Sequence, residues 1–320
     1  MAGSAFVVDP LAMSQPRRII PNTTYLITRR VILRHTLLRP DKVMTRILLY
    51  LLAVAANHHG VEVHAFCAMS THIHLVVTDV RGVLPAFLHL FHRTVALCTK
   101  VLRGWNDALW DKQPTSVVRL ETPAAVVEKI AYVLANPVAA GLVRHAHEWP
   151  GAKVVVDDLG KGMLRASRPD VYLNPKNPRW PKETTLSITL PPCIEPEHAA
   201  SFRRRVAVEL ARLEAAAHTQ MQQQGRRFLG AEQASRVSPE ARATSAEPTL
   251  DRNPTFAVGR EQGDAWVRAA SAVRAFRAEY RAALEQWRHG MRHAVFPVGT
   301  WWMRVFHGAI VSDVATAATG

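Results

Sequence analysis

The stretch Met69-Ser70-Thr71-His72-Ile73-His74-Leu75-Val76-Val77 sets the first firm constraint on the fold. Apart from its two histidines it is apolar and β-branched, which favours an extended strand. Side chains alternate along a strand, so His72 and His74 share one face while Ile73, Leu75 and Val77 point into a core on the other. Two imidazoles side by side on the open face of a sheet make the beginning of a metal site. A His-x-His pair alone is more often surface decoration, so its meaning depends on what converges on it.

The flanking segments supply the sheet. Thr24 to Val31 reads as a first strand, and a helix begins at Pro40-Asp41 and runs to about His58, with Val43, Ile47, Tyr50, Leu51 and Val54 at helical spacing. Gly60 ends that helix, and Val61 to Met69 forms the next strand. Gly82 opens a second helix carrying Leu84, Phe87, Leu88, Phe91, Val95, Cys98 and Leu102 on one stripe. Ser116 to Leu120 is a fourth strand, and Thr122 caps a third helix with Pro123 at its first position. That helix is expected to stop near Asn136, because Pro137 disfavours helical geometry in the residue before it. The order predicts an α+β, ferredoxin-like sandwich, an antiparallel sheet with helices on one face and the other face open.

Beyond residue 155 the composition shifts. The expected division is a loose leader over 1–20, a catalytic domain over 21–155, an irregular Pro-rich segment over 156–200 and a basic helix over 201–229. A flexible linker over 230–262 and a helical, aromatic extension over 263–320 follow. In the extension, Trp266, Ala270, Val273, Phe276, Tyr280, Leu284 and Trp287 form one stripe, with Arg268, Arg274, Arg281 and Arg288 off it. Trp301, Trp302 and Phe306, with Arg304 among them, can either stack on unpaired bases or fold against that helix; packing is expected for the rings and nucleic-acid contact for the arginines.

A net charge of +14 on 320 residues points to nucleic acid or an anionic surface as partner. Three cysteines, Cys67, Cys98 and Cys193, without CxxC spacing argue against a zinc-cysteine site and a disulfide framework, and fit a reducing cytoplasm. No signal peptide is read at the N-terminus, and no membrane partner is expected.

A second element suits the histidine pair. In Ile130-Ala131-Tyr132-Val133-Leu134-Ala135-Asn136-Pro137, Tyr132 and Asn136 are four apart, which puts phenol and carboxamide on one helix face. If that helix packs beside His72 and His74, Asn136 can offer an oxygen to the same cation and Tyr132 can reach whatever the cation holds. Two imidazoles and one amide oxygen leave positions open for phosphate oxygens and water, as phosphodiester strand transfer requires. A tyrosine needs activation at neutral pH, and a divalent cation polarising the phosphate provides a route.

"MSTHIHLVV", followed about sixty residues later by "YVLANPVAAGLV" and then "EWPGAK", resembles the HUH single-tyrosine transposases, in particular the REP-associated tyrosine transposase branch. The resemblance covers roughly residues 16 to 153. It implies Tyr132 as nucleophile, His72, His74 and Asn136 as ligands, and Mg²⁺ or Mn²⁺ as cofactor. It also implies cleavage of single-stranded DNA near a hairpin through a 5′-phosphotyrosine, by a monomer or a homodimer. Thr71 stands where the family often has Asn, and Ala139 where it commonly has Arg. Two other functions fit the same fold, a catalytically idle nucleic-acid-binding protein and a replication- or conjugation-type nickase. The sequence has no GxxxxGK[ST] loop, which weakens the replication alternative.

Overall fold

A computed structural model describes residues 16–244, 254–260 and 262–313. It divides into two compact units, Pro21–Trp266 and a second built from the two chain ends, Met1–Ile20 with Val267–Gly320. Most of the expected leader lies outside the described residues.

The larger unit begins with strand β1 (Thr23–Arg30), helix α1 (Lys42–His59), strands β2 (Val61–Ala68) and β3 (His72–Asp79), helix α2 (Leu84–Arg103) and strand β4 (Ser116–Leu120). Helix α3 (Pro123–Ala139) follows. The local chemistry accounts for the boundaries. Asp41 caps α1 by accepting from the Met44 amide at 2.9 Å, and Gly60 closes it at φ +66°, a left-handed turn that glycine enters without strain. Thr122 caps α3 by accepting from the Ala125 amide, with Pro123 in the first turn.

The strands lie in the order β2-β3-β1-β4, antiparallel between neighbours, and the short stretch Phe256–Ala257 pairs parallel to β4. Arg30 pairs with His72 and Thr28 with His74, so those four side chains share a face. Between Val63 and Ala65 the β2–β3 register shifts, and His64 sits in the irregularity.

Here the structure corrects the expected open face. Every residue of β3 is buried, and α3 packs against β2, β3 and β4 on the histidine side. The reason lies in composition. Leu26, Val76 and Val118 are apolar and share that face, and α3 meets it with a side bearing Val126, Ile130 and Val133. Removing that much aliphatic surface from water outweighs leaving the face open. The opposite face, with Tyr25, Ile27, Leu75 and Val77, is equally buried.

The segment read as irregular contains two paired strands, β5 (Met163–Ser167) and β6 (Glu183–Ser187), packed on α1. Tyr50 donates to the Pro181 carbonyl at 2.7 Å and the Asn57 amide donates to Thr185. Helix α4 (Ala199–Gln223) lies along α3. The described start of the expected linker is tied down. It forms α5 (Ala231–Arg236) and then meets residues 34–39, the Thr36 amide donating to the Ala241 carbonyl and Arg39 to that of Val237. Residues 245–253 of that stretch lie outside the described residues. Strand β7 (Phe256–Ala257) ends it.

The motif Glu148-Trp149-Pro150-Gly151-Ala152-Lys153 has a packing explanation. Trp149 is fully buried and donates from its indole to the Ala68 carbonyl at 2.9 Å. Gly151 passes so close that a Cβ there would lie 2.5 Å from the indole nitrogen, which excludes any side chain. Residues 152–154 then run beside β2, exchanging bonds with Ala68 and Phe66.

The second unit holds helix α6 (Gly263–Arg288, begun in the first unit), strand β8 (Val295–Phe296), helix α7 (Trp301–His307) and strand β9 (Ile310–Val311). Its core joins Ala283, Phe296, Met303 and Ala309, with Tyr280, Leu284 and Trp287 against them. Trp302 and Phe306 do not fold inward as expected, being 58% and 56% exposed. Among the described residues no helix is long and apolar enough to cross a membrane.

Asp41 provides a stability test. Besides capping α1 it holds Arg103, itself almost wholly buried, at 2.6 Å, with Arg39 at 3.2 Å. Asp41→Ala removes both functions and is expected to cost about 2–4 kcal/mol in urea unfolding. Asp41→Asn keeps the cap and should lose distinctly less.

Candidate nuclease site

Strand β3 and helix α3 bring the predicted residues together. The His72 and His74 rings lie edge to face with centroids 4.6 Å apart, and the His74 and Tyr132 rings meet at 5.4 Å. Tyr132 is 43% exposed whereas both histidines are buried, so the phenol faces the entrance and the imidazoles the floor. Asn136 donates from its amide nitrogen to the Tyr132 carbonyl at 2.7 Å, leaving the carboxamide oxygen for the histidine side.

The helix carrying this pair does not stop at Asn136. It continues to Ala139 with Pro137 inside it. The proline removes one amide donor near a helix end, where carbonyls commonly lack helical partners. The bond from Asn136 to Tyr132 and the burial of Val133, Pro137 and Val138 hold the last turn in place. Helical geometry through residue 136 is what keeps Tyr132 and Asn136 on one face.

Two threonines orient the imidazoles. The Thr28 hydroxyl lies 2.8 Å from His74 Nδ1, and the Thr71 hydroxyl 2.9 Å from His72 Nδ1. In the tautomer that donates from Nδ1, each ring presents a bare lone pair at Nε2, the arrangement that suits metal-ligating histidines. Sequence reasoning missed both. Thr71 was visible only as a departure from the family pattern, and Thr28 becomes relevant only through the β1–β3 register.

His74 is held well below the ordinary imidazole range, first by burial, then by the positive charge of His72 and Arg30, while the Asn136 carboxamide pulls the other way. Its Nε2 is buried and makes no hydrogen bond. The carboxamide thus acts on the ring without meeting it in hydrogen-bond geometry. A neutral, buried imidazole with an unsatisfied acceptor fits a cation ligand. Among the described residues no group of three or more His, Cys, Asp or Glu is placed to hold a metal ion, so His72 and His74 have no third donor of those types.

Other polar residues divide clearly. Lys129 places its ammonium 5.8 Å from the Tyr132 ring centroid, beside the nucleophile candidate. Arg103 belongs to Asp41, and Arg119 to Glu121 at 2.7 Å. His64 is fully buried, its Nε2 2.7 Å from the Thr78 hydroxyl and its Nδ1 3.0 Å from the Thr189 carbonyl, and burial pushes it down to about 4. The cysteines are free, Cys67 and Cys98 buried and Cys193 exposed. A groove of about 360 Å³ between α3 and α4, lined by Val127, Glu128, Arg204, Arg205, Glu209 and Arg260, contains none of the four site residues.

With this geometry in hand, the chain can be set beside known proteins. No protein-family model matches it, and no curated protein does. Among solved structures it is similar to a REP-associated tyrosine transposase bound to a REP hairpin, at 18% identity and a TM-score of 0.38, over 46% of this chain and 85% of that one. It is also similar to a candidate transposase from Deinococcus radiodurans R1, at 20% identity and a TM-score of 0.26, over 33% of this chain and 85% of that one. Both are described as transposases. The functional argument rests on the site itself.

His64 and His74 set a pH dependence. The folded state keeps His64 and His74 uncharged, whereas in the unfolded chain both take up a proton near pH 6.5. The unfolded state then binds more protons, so this contribution to stability is complete above about pH 6.5 and falls away on acidification, for His64 until about pH 4. Unfolding free energies measured from pH 7 to pH 4 should therefore fall more steeply for the parent than for His64→Gln. The expected difference in slope is about 1.4 kcal/mol per pH unit.

Proposed function

We propose that this protein is a metal-dependent single-stranded DNA transposase or nuclease that cleaves and rejoins strands through a 5′-phosphotyrosine at Tyr132. The observation that carries this reading is the convergence of an exposed phenol and a carboxamide from α3 on two threonine-held, buried imidazoles from β3. The strand order β2-β3-β1-β4, with α1 and α2 between the strands they connect, supports a ferredoxin-like core for such a site.

The chain's own residues account for much of the chemistry. Tyr132 oxygen forms the new bond to phosphorus and the bond from phosphorus to the 3′-oxygen breaks, so the phenol loses a proton and the leaving oxygen gains one as a 3′-hydroxyl. Reversal by another 3′-hydroxyl restores the phosphodiester and frees Tyr132, with no nucleotide consumed. His72, His74 and Asn136 would hold Mg²⁺ or Mn²⁺, which when bound offsets charge on the phosphate and orients it for in-line attack. Thr28 and Thr71 fix the imidazoles so that their Nε2 atoms keep one direction. Lys129 supplies positive charge beside the nucleophile, where the phosphate must sit.

Incubation of the protein with hairpin-flanked single-stranded DNA and Mg²⁺ or Mn²⁺ should yield an adduct that survives denaturing electrophoresis. Tyr132→Phe, at an exposed position where removing a hydroxyl disturbs little packing, should abolish the adduct. His72→Ala and His74→Ala should each lower its rate by about a hundredfold or more, and Asn136→Ala by about tenfold to a hundredfold. An adduct formed by the Phe variant would overturn the nucleophile assignment. DNA binding without an adduct in the parent would favour a binding protein on this fold.

A further inference from the structure

The unit built from the chain ends carries a surface that the site at Tyr132 does not use. On α7, Trp302 and Phe306 stand one turn apart and lie against each other, centroids 4.1 Å apart and planes tilted by 33°, both more than half exposed. Trp301 meets the Phe306 ring edge at 5.7 Å. Met303 enters the core with Phe296 and Ala283, which fixes the helix and leaves the two rings on its flank. A rigid pair of large rings exposed to water is an unusual surface for a soluble unit.

Charge decides what such a pair can receive. Residues 16–20 and 267–313 hold nine arginines against three carboxylates. At 100° per residue, Arg274, Arg277, Arg281 and Arg288 fall within about 60° of one another on α6, well away from the face bearing Phe276, Tyr280, Ala283 and Trp287. Arg274, Arg281 and Arg288 recur every seven residues, about 10.5 Å along the axis. Arg274, Arg277, Arg281 and Arg304 make no ion pair with a described residue. The same stretch of α6 meets the core beneath α7 through Tyr280 and Ala283, with Phe296 of β8 between them and Met303. Stackable rings and unneutralised arginines in one small unit match a ligand with exposed flat faces and a repeating negative charge.

We propose that this unit is a second nucleic-acid site, which binds an unpaired strand by stacking bases on Trp302 and Phe306 while the α6 arginines neutralise its phosphates. A duplex hides its base faces and cannot use the rings, so the site discriminates by strandedness rather than by sequence. It does not rest on the chemistry proposed for Tyr132.

The test measures binding of the full-length chain to fluorescein-labelled oligo(dT), oligo(U) and a duplex of equal length, in the Tyr132→Phe background so that no covalent capture intervenes. Trp302→Ala with Phe306→Ala is expected to weaken single-strand binding at least about tenfold and to leave duplex binding unchanged. Trp302→Phe should recover most of the loss. Arg274→Ala with Arg281→Ala should reduce the slope of log K against log salt by about 1.4. The dT and U arms decide between DNA and RNA as the source of the strand. Unchanged oligo(dT) and oligo(U) affinity in the double aromatic variant, or an equal loss for the duplex, would overturn the proposal. Loss of self-association with oligonucleotide binding intact would assign the rings to a second copy of the chain, and would also overturn it.

Discussion

The packing of α3 onto the histidine face of the sheet is the constraint from which the rest of the site follows. It removes His74 from water, and a buried imidazole cannot readily accept a proton. It also brings the Tyr132 ring, more than fifty residues away in sequence, to 5.4 Å from the His74 ring. Aliphatic contacts drive the packing, while the polar groups caught in the interface are satisfied locally by Thr28 and by the Tyr132 carbonyl. The exception is His74 Nε2, which makes no hydrogen bond. An unsatisfied buried nitrogen carries a free-energy cost, which a bound cation would offset under the proposed function.

Much of this was legible in the sequence because the signals are local. Asp41 and Thr122 announce their helices through side-chain caps, Gly60 closes one through its backbone, and the His-x-His alternation follows from the period of a strand. The same-face pairing of Tyr132 and Asn136 follows from four-residue spacing. What stayed hidden depends on partners far along the chain. The covering of the sheet by α3 cannot be read from α3 alone. Thr28 matters only because antiparallel register places it opposite His74. Pro137 reads as a stop, and only tertiary burial shows that the last turn survives it. Arg103 is tied to Asp41, 62 residues back in the chain, and nothing local announces that pairing.

The segments after residue 155 follow a different rule. The β5–β6 pair and the residues from Ala231 to Ala243 join the rest of the larger unit through backbone carbonyls and long-range side-chain bonds, whereas α4 buries Phe202, Val206, Ala217 and Met221 on one face. Such attachments leave little trace in composition, which is why Pro-rich and Ser-rich stretches read as loose. The arginine-bearing α6, in contrast, was readable as amphipathic, although Trp266 of its stripe is exposed, as are Trp302 and Phe306 on α7.

The strap that follows Trp149 has one more consequence. β2 is an outer strand of the sheet, and an outer strand offers unpaired amides and carbonyls to any passing chain. Residues 152–154 occupy those groups at one end of β2, and the Thr189 amide donates to the Val63 carbonyl toward the other. On the far side, β7 lies along the end of β4. Part of each outer strand is therefore already paired, which leaves less edge open to another sheet, in its own copies or in aggregates. Gly151, where no side chain fits, is one small hinge on which that pairing closes, so a substitution there would be felt first as stickiness and only afterwards as lost chemistry.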